Sequence, residues 1–377
     1  MSEDKIRLGM VGGGKGSMIG DIHRIGAARS GGFDLVAGAL SSTKTRSDES
    51  AAAAGIAADR SYASFGEMAA AEAARADGIE AVAILTPNAL HAPAVEAFAS
   101  RGIHIICEKP MTGNLAEAQS LVATVTKANV AFVLAHSYTA FAMVRRAREL
   151  IAAGVLGDIR TIHSTYLQDG RVAYDNDASA ANWHLDPAMS GVAGTLADIG
   201  SHAYHITTWL TGLALESVAT DLSAFGIHNK LDNDGNALLR YVGGAKGNLS
   251  CSQMAIGKGN GFAFFIYGSK ASLGWSVENP NQLHLTLAGK PTETLTPDAA
   301  ELSELAHFEA QGFGSFAPYA SAFARLYTDA ASLIRARQQG KDAITPAPDL
   351  AQGLAVMQFI DAAVRSSANG ANWVKIG

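Results

Sequence analysis

A chain of 377 residues is too long for one ordinary hydrophobic core, so two domains are expected. Apolar residues make up 48% and charged residues 17%, a globular composition rather than a disordered one. With 29 basic against 35 acidic residues the net charge is −6, and no basic cluster stands out, which argues against a nucleic-acid partner. Ile6–Val11 reads as a first strand, followed by a glycine turn and a helix from about Ser17 to Ser30. Strands follow at Leu35–Leu40, Ala81–Leu85, Ile103–Cys107 and Val130–Ala135, with helices at Ser50–Gly55, Leu90–Arg101 and Leu115–Ala128. Strands alternating with helices predict a parallel sheet with right-handed crossovers.

The rhythm changes after about Ser137. A helix near Phe141–Ala153 precedes longer runs rich in β-branched and aromatic residues at Ile159–Leu167, Ser217–Phe225, Ala237–Val242, Asn248–Met254, Phe262–Tyr267, Leu273–Val277 and Leu283–Leu287. Gly243-Gly244-Ala245-Lys246-Gly247 joins two of them as a hairpin. A last helix, about Pro348–Ser366, and a short strand at Trp373–Ile376 follow. The predicted fold class is therefore α/β, with a parallel sheet over residues 1–137 and an α+β domain with a large, mostly antiparallel sheet over 138–377. Met1-Ser2-Glu3-Asp4-Lys5 shows no leader pattern, and no apolar run approaches the roughly 20 residues of a membrane helix. A cytoplasmic protein without a membrane partner is expected. Cys107 and Cys251 lie in apolar runs without a CxxC neighbour, which reads as buried, reduced thiols.

The carboxyl edge of a parallel sheet is where ligands bind. The turn after the first strand, Gly12-Gly13-Gly14-Lys15-Gly16, stands there and opens a helix, the context in which backbone N–H groups and the helix dipole hold a pyrophosphate. Gly12, Gly14, Lys15, Gly16, Ser17, Met18 and Ile19 are the candidate residues. The spacing departs from G-x-G-x-x-G, because Ser17 stands where the third glycine belongs, with Gly20 a turn further on. An acid at the end of the second strand would hold the ribose of NAD. Here Ser41, Ser42 and Arg46 stand instead; the serines suit a hydroxyl or a phosphate and Arg46 a 2′-phosphate, so these residues leave the choice open, and the cofactor expected is NAD, with NADP not excluded. Thr86-Pro87-Asn88, with His91 behind it, reads as a turn that brings backbone and an amide over the same edge. Glu108-Lys109-Pro110 ends the Ile103–Cys107 strand.

In the second half, Asp198 and His202 are four residues apart at a helix start and share a face if the helix covers both. An imidazole exchanges protons near neutrality and a carboxylate orients it or holds a hydroxyl. Taken alone, the segment reads more readily as an aspartate on a helix dipole and a core histidine. Trp183 lies in a polar stretch, residues 175–190, and reads as a cover for the cofactor. Tyr138 and Tyr166 are hydroxyl-bearing candidates for the substrate cleft, or core residues. Asp198, His202 and His205 at i, i+4 and i+7 admit a rival metal-dependent hydrolase or lyase. A third reading is a non-catalytic dinucleotide-binding sensor. No metal is expected on the leading reading.

Together these motifs resemble the Gfo/Idh/MocA family of nicotinamide-dependent sugar and polyol dehydrogenases, including inositol and L-glucose dehydrogenase-type enzymes. The resemblance spans essentially the whole chain and rests on the glycine turn, Thr86-Pro87-Asn88 with His91, Glu108-Lys109-Pro110, Trp183 and Asp198-x-Gly200-x-His202. It implies a Rossmann domain, a cyclic polyol or sugar substrate, a dimer or tetramer, and a catalytic set of Lys109, Asp198 and His202, with Glu108 near the cofactor. Three departures stand out. The glycine turn is longer than usual, His184 follows Trp183 where arginine is common, and His205 replaces a frequent acid or amide.

Overall fold

The computed structural model describes residues 5–174, 183–226, 229–300, 302, 317–341 and 343–377, which fall into two compact units. The first carries β1 (Ile6–Gly12), α1 (Met18–Arg29), β2 (Phe33–Ala39), α2 (Lys44–Ala53), α3 (Phe65–Ala74), β3 (Ala81–Leu85), α4 (His91–Ala99), β4 (His104–Cys107), α5 (Leu115–Ala128) and β5 (Phe132–Leu134). The strands pair in the order β2-β1-β3-β4-β5, every pair parallel. β3 and β4 are buried along their whole length, so they read as nearly continuous apolar runs instead of alternating ones. This is the Rossmann sheet that the alternating pattern predicts. α3 is an addition to that pattern. It starts at Ser64, whose hydroxyl accepts from Glu67 N at 3.2 Å, while the Glu67 carboxylate reaches back to Ala63 N at 3.1 Å.

The units are not the contiguous halves 1–137 and 138–377. The stretch from Ala317 to Leu354 belongs with the first unit. Within it, Ala317–Gln338 forms a 22-residue helix, α9. The sequence reading has no element there. Its alanine face, Ala317, Ala320 and Ala324, packs against Ile25 of α1. A Cβ on Gly26 would lie 3.0 Å from the Phe323 backbone, so the glycine sets how closely α1 and α9 approach. The physical reason for the return is that this helix has an apolar face to bury and α1 supplies the matching surface.

The second unit holds α6 (Ala142–Ala152), β6 (Ile159–Leu167), α7 (Pro187–Ser190), α8 (Ser201–Thr211), β7 (Leu215–Ser223), β8 (Asp234–Tyr241), β9 (Lys246–Ser252), β10 (Gly261–Gly268), β11 (Ala271–Ser276), β12 (Leu283–Leu287), β13 (Glu293–Leu295) and β14 (Val374–Lys375). α10 (Leu350–Ala368) lies with the first unit through Leu354 and with the second from Ala355. The nine strands run β13-β12-β11-β10-β6-β9-β8-β7-β14, antiparallel throughout except for β6 beside β9. One face buries Phe262, Phe264 and Trp275 beneath α6 and α8. The other leaves Leu238, Phe265 and Tyr267 exposed at 57%, 43% and 42%. No described helix is long and apolar enough to cross a membrane.

Candidate active site

Backbone geometry makes the glycine turn. Gly12 closes β1 at φ +77° and Gly13 follows at φ +66°, in the left-handed region that glycine adopts without strain. A Cβ on Gly14 would lie 2.5 Å from the Leu40 carbonyl oxygen, and one on Gly20 would lie 2.0 Å from the Gly13 oxygen. Gly20 therefore does the work of the third glycine, letting α1 close on the turn. Ser17, in the place where that glycine was expected, caps the helix by accepting from Gly20 N at 3.2 Å. Met18 and Ile19 begin α1, where the first-turn N–H groups have no partner within the helix. Lys15 N donates to Ser50 Oγ at 3.0 Å, and that hydroxyl donates to the Arg46 carbonyl at 2.7 Å, tying the turn to α2.

A cavity of about 390 Å³ opens here, lined among others by Gly14, Lys15, Gly16, Ser17, Ser41 and Arg46. Ser42, also expected at the cofactor, is exposed and outside this lining. Glu49, which the sequence reading passed over, lines the cavity from α2. A turn kept clear of side chains, a helix start and a polar cavity beyond β2 fit the pyrophosphate and adenosine end of a dinucleotide.

The neighbouring strand ends are bolted together by His91. It is fully buried, with Nδ1 2.8 Å from the Pro110 carbonyl and Nε2 2.8 Å from the Thr86 carbonyl. Burial pushes its pKa down against the raising pull of these two carbonyls. Expected as a cofactor contact, His91 instead holds the Thr86-Pro87-Asn88 turn to the Glu108-Lys109-Pro110 turn. Asn88 is buried at the start of the short 3₁₀ turn Asn88–Leu90.

Glu108 leaves β4 under similar restraint. Its Oε1 lies 2.8 Å from His23 Nε2, and His23 Nδ1 lies 2.8 Å from the Tyr327 hydroxyl. The other oxygen accepts from Lys109 N at 3.2 Å. Burial pushes the Tyr327 hydroxyl above its usual range, with Glu108 adding to the rise, so the phenol stays protonated. His23 and Tyr327 are absent from the sequence reading because α1 and α9 lie some 300 residues apart. Lys109 itself is half-buried at the carboxyl edge of β4. Tyr138, also in this unit, is buried against Tyr319, with ring centroids 6.2 Å apart.

In the second unit the helix start departs from the regular spacing. Leu196–Gly200 is a π-helical turn, and α8 begins only at Ser201. Asp198 sits in the wide turn and His202 in the first regular one, so the even i, i+4 face predicted for an α-helix does not apply. Such turns recur at functional sites. The Asp232 carboxylate holds the turn from below, accepting from Gly194 N at 2.6 Å and Leu196 N at 2.7 Å. Burial raises its pKa while these donors and Arg171 pull it down. Gln253 Nε2 donates to Asp198 Oδ2 at 2.9 Å. Gln253, Asp232 and Arg171 are side chains that the sequence reading missed, since no spacing rule links them to Asp198. His202 is buried at 6% exposure, with the Tyr166 ring centroid 6.2 Å from its own. Tyr166 in turn stacks on Phe262 at 5.0 Å.

Trp183 is half-buried and stacks on His184 at 3.6 Å. Residues 175–182 of the polar stretch expected around it lie outside the described residues. Among the described residues no group of three or more His, Cys, Asp or Glu side chains is arranged to hold a metal, so Asp198, His202 and His205 do not form the ligand set of the rival reading. Cys107 and Cys251 are buried free thiols, and burial pushes both pKa values up.

A Rossmann sheet with this glycine turn, in a chain whose second unit is built on a wide, mostly antiparallel sheet, defines a class of NAD-binding oxidoreductases. Comparison with known proteins places the chain within it. Residues 6–136 match the oxidoreductase family's NAD-binding Rossmann fold, and residues 144–274 match the GFO/IDH/MocA C-terminal domain. The chain is 31% identical to an uncharacterized oxidoreductase, YfiI, of Bacillus subtilis over 98% of its own length and 96% of the relative's. An inositol dehydrogenase homolog from Azotobacter vinelandii, solved with NAD+, superposes with a TM-score of 0.90 at 29% identity, covering 99% of this chain and 98% of that one. Levoglucosan dehydrogenase of Pseudarthrobacter phenanthrenivorans is 28% identical over 56% of this chain and 58% of the relative. The chain belongs to the Gfo/Idh/MocA family of oxidoreductases.

Proposed function

We propose that the protein oxidises, reversibly, a secondary alcohol or anomeric centre of a cyclic polyol or sugar with NAD. The observation that carries the reading is the lysine. Glu108-Lys109-Pro110 ends β4 at the carboxyl edge of the sheet that bears the glycine turn, with only β3 between β4 and β1. The inositol and levoglucosan specificities in the names of its relatives support the substrate class. NAD, held by Gly12, Gly14 and the start of α1, supplies the acceptor for the hydride when bound. His202 takes the proton of the substrate hydroxyl as general base. Lys109, as an ammonium, steadies the charge that grows on that oxygen. Asp198 accepts a hydrogen bond from the substrate and keeps His202 in place. The Glu108–His23–Tyr327 chain holds the backbone that carries Lys109.

The proposal extends to a cytoplasmic homo-oligomer, a dimer or tetramer formed through the open face of the large sheet. Leu238, Phe265 and Tyr267 give that face the apolar character of an interface between copies. Sedimentation is the check: a monomer at micromolar concentration counts against it. The test of the reaction is a panel of inositols, anhydrosugars and aldoses assayed by nicotinamide absorbance with NAD and NADP. Lys109→Ala is expected to lose about a hundredfold or more in kcat while still binding NAD. Undiminished turnover in that variant removes Lys109 from the mechanism.

A further inference from the structure

Around Asp198 the second unit builds a side-chain amide relay that the family motifs do not contain. Gln253 follows β9, and its backbone is tied on two sides, Gln253 N donating to the Asn233 carbonyl at 2.9 Å and its own carbonyl accepting from Arg171 N at 3.0 Å. The residue is 7% exposed. The Thr195 hydroxyl donates to Gln253 Oε1 at 2.7 Å, and the acceptor-only Asp198 carboxylate on the other side fixes which end of the amide is which. The NH₂ end then has two N–H groups and two acceptors, Asp198 Oδ2 at 2.9 Å and Gln168 Oε1 at 3.2 Å. Gln168 Nε2 lies 3.4 Å from the hydroxyl of Tyr166, the ring that neighbours His202.

We infer that Gln253 is a positioning residue: through a fixed amide it holds Asp198 as a hydrogen-bond acceptor and sets its direction relative to His202. The inference rests on the role proposed for Asp198. Donating both amide hydrogens leaves Asp198 Oδ2 already engaged, so substrate is met by the remaining acceptor sites of the carboxylate. A proton on Oδ2 would compete with the amide N–H aimed at that oxygen, whereas the ionised carboxylate accepts it most strongly. The relay therefore favours the ionised form, in which Asp198 orients as an acceptor. The charged and titratable groups disposed around it are Arg171, which Asp198 and Asp232 both influence, Cys251 against Gly200, and His202 and Tyr166 at the far end of the relay. Burial pulls Arg171 down, and the two carboxylates restore part of it, so a positive neighbour favours the same ionised state.

Three variants test this: Gln253→Leu, Gln253→Glu and Asp198→Asn, each assayed with NAD and myo-inositol, levoglucosan and D-xylose across pH. Gln253→Leu is expected to lose about tenfold or more in kcat/KM, the size of one hydrogen bond to a charged group. In Gln253→Glu the introduced carboxyl serves as donor only while protonated, so kcat/KM falls as that carboxyl ionises, a descending limb added to the parent's profile. A second readout needs no substrate. Carbon NMR of labelled aspartate, with the Asp198 signal assigned by its loss in Asp198→Asn, follows the carboxyl titration, and Gln253→Leu is expected to move it upward by about one pH unit. An unmoved titration, or lowered activity with an unchanged pH profile, reduces Gln253 to packing and overturns the inference. Full activity in Asp198→Asn overturns the proposed role of Asp198 instead, and the titration still reports whether the relay sets its state.

Discussion

The two units prepare their chemistry by opposite means. In the first, the cofactor turn is made by leaving side chains out: Gly12 and Gly13 at positive φ, with Gly14 and Gly20 where a Cβ would strike a carbonyl. In the second, the turn that carries Asp198 is made by putting side chains in: the Asp232 carboxylate beneath it and the Gln253 amide beside it. A dinucleotide pyrophosphate wants bare N–H groups and room, whereas a polyhydroxylated substrate wants acceptors with fixed directions. The first demand is met by local backbone, the second only by residues gathered from distant strands.

If that contrast holds, removing one side chain should damage the second unit more than adding one damages the first. The largest effect is expected at Asp232. Asp232→Ala strips the partners from Gly194 N and Leu196 N, two bonds to a buried charge, and should cost about 3 kcal/mol or more. Urea denaturation would register this as a fall in midpoint, together with loss of activity as the π-helical turn relaxes. A variant as stable as the parent would show that the turn is held by packing alone.

Next comes the glycine turn. Gly20→Ala puts a Cβ 2.0 Å from the Gly13 oxygen and 2.7 Å from its Cα, both backbone atoms that have nowhere to go. Overpacking of this kind costs about 1–3 kcal/mol, and NAD affinity should fall with it as α1 backs away from the turn. Gly16→Ala is the matched control: at φ +85° it meets nothing within 4 Å, so only backbone strain of about 1–2 kcal/mol is added. A larger fall in urea midpoint for Gly16→Ala than for Gly20→Ala would break the argument that close approach decides.

The same contrast explains what was legible in the sequence. The parallel sheet, the glycine turn and the strand end that carries Lys109 were readable because each is encoded within a few consecutive residues, by an apolar run and the turn after it. Even α3 left a local trace in Ser64-x-x-Glu67, though alanine-rich surroundings hid it. α9 was not readable, because the residues that tell it where to pack, Ile25, Gly26 and His23, lie in α1. Asp198 and His202 were found as a motif, but their regular helical spacing was wrong, since nothing local announces a π turn. His91 kept its place beside the site and changed its role, because the carbonyls it bridges come from two different strands. Gln253, Asp232 and Arg171 stayed invisible for the same reason.

The smallest effect lies at the far edge of the first unit's sheet, where a side chain again stands in for backbone pairing. His104 begins β4, and its Nδ1 accepts from Ala131 N at 3.0 Å, a role open only to an unprotonated nitrogen. Burial lowers its pKa, Arg337 lowers it further, and Glu80 opposes them. With the folded pKa below the unfolded value of about 6.5, the unfolded chain binds the proton more readily. The contribution is therefore complete above that value and lost as pH falls from it through the folded pKa. Stability by urea midpoint should decline across this acidic window, and His104→Gln, whose side-chain carbonyl can accept without titrating, should flatten the decline. An equally steep fall in the variant would assign the acid sensitivity elsewhere and leave the sheet's amino edge, unlike the site at its carboxyl edge, to apolar packing alone.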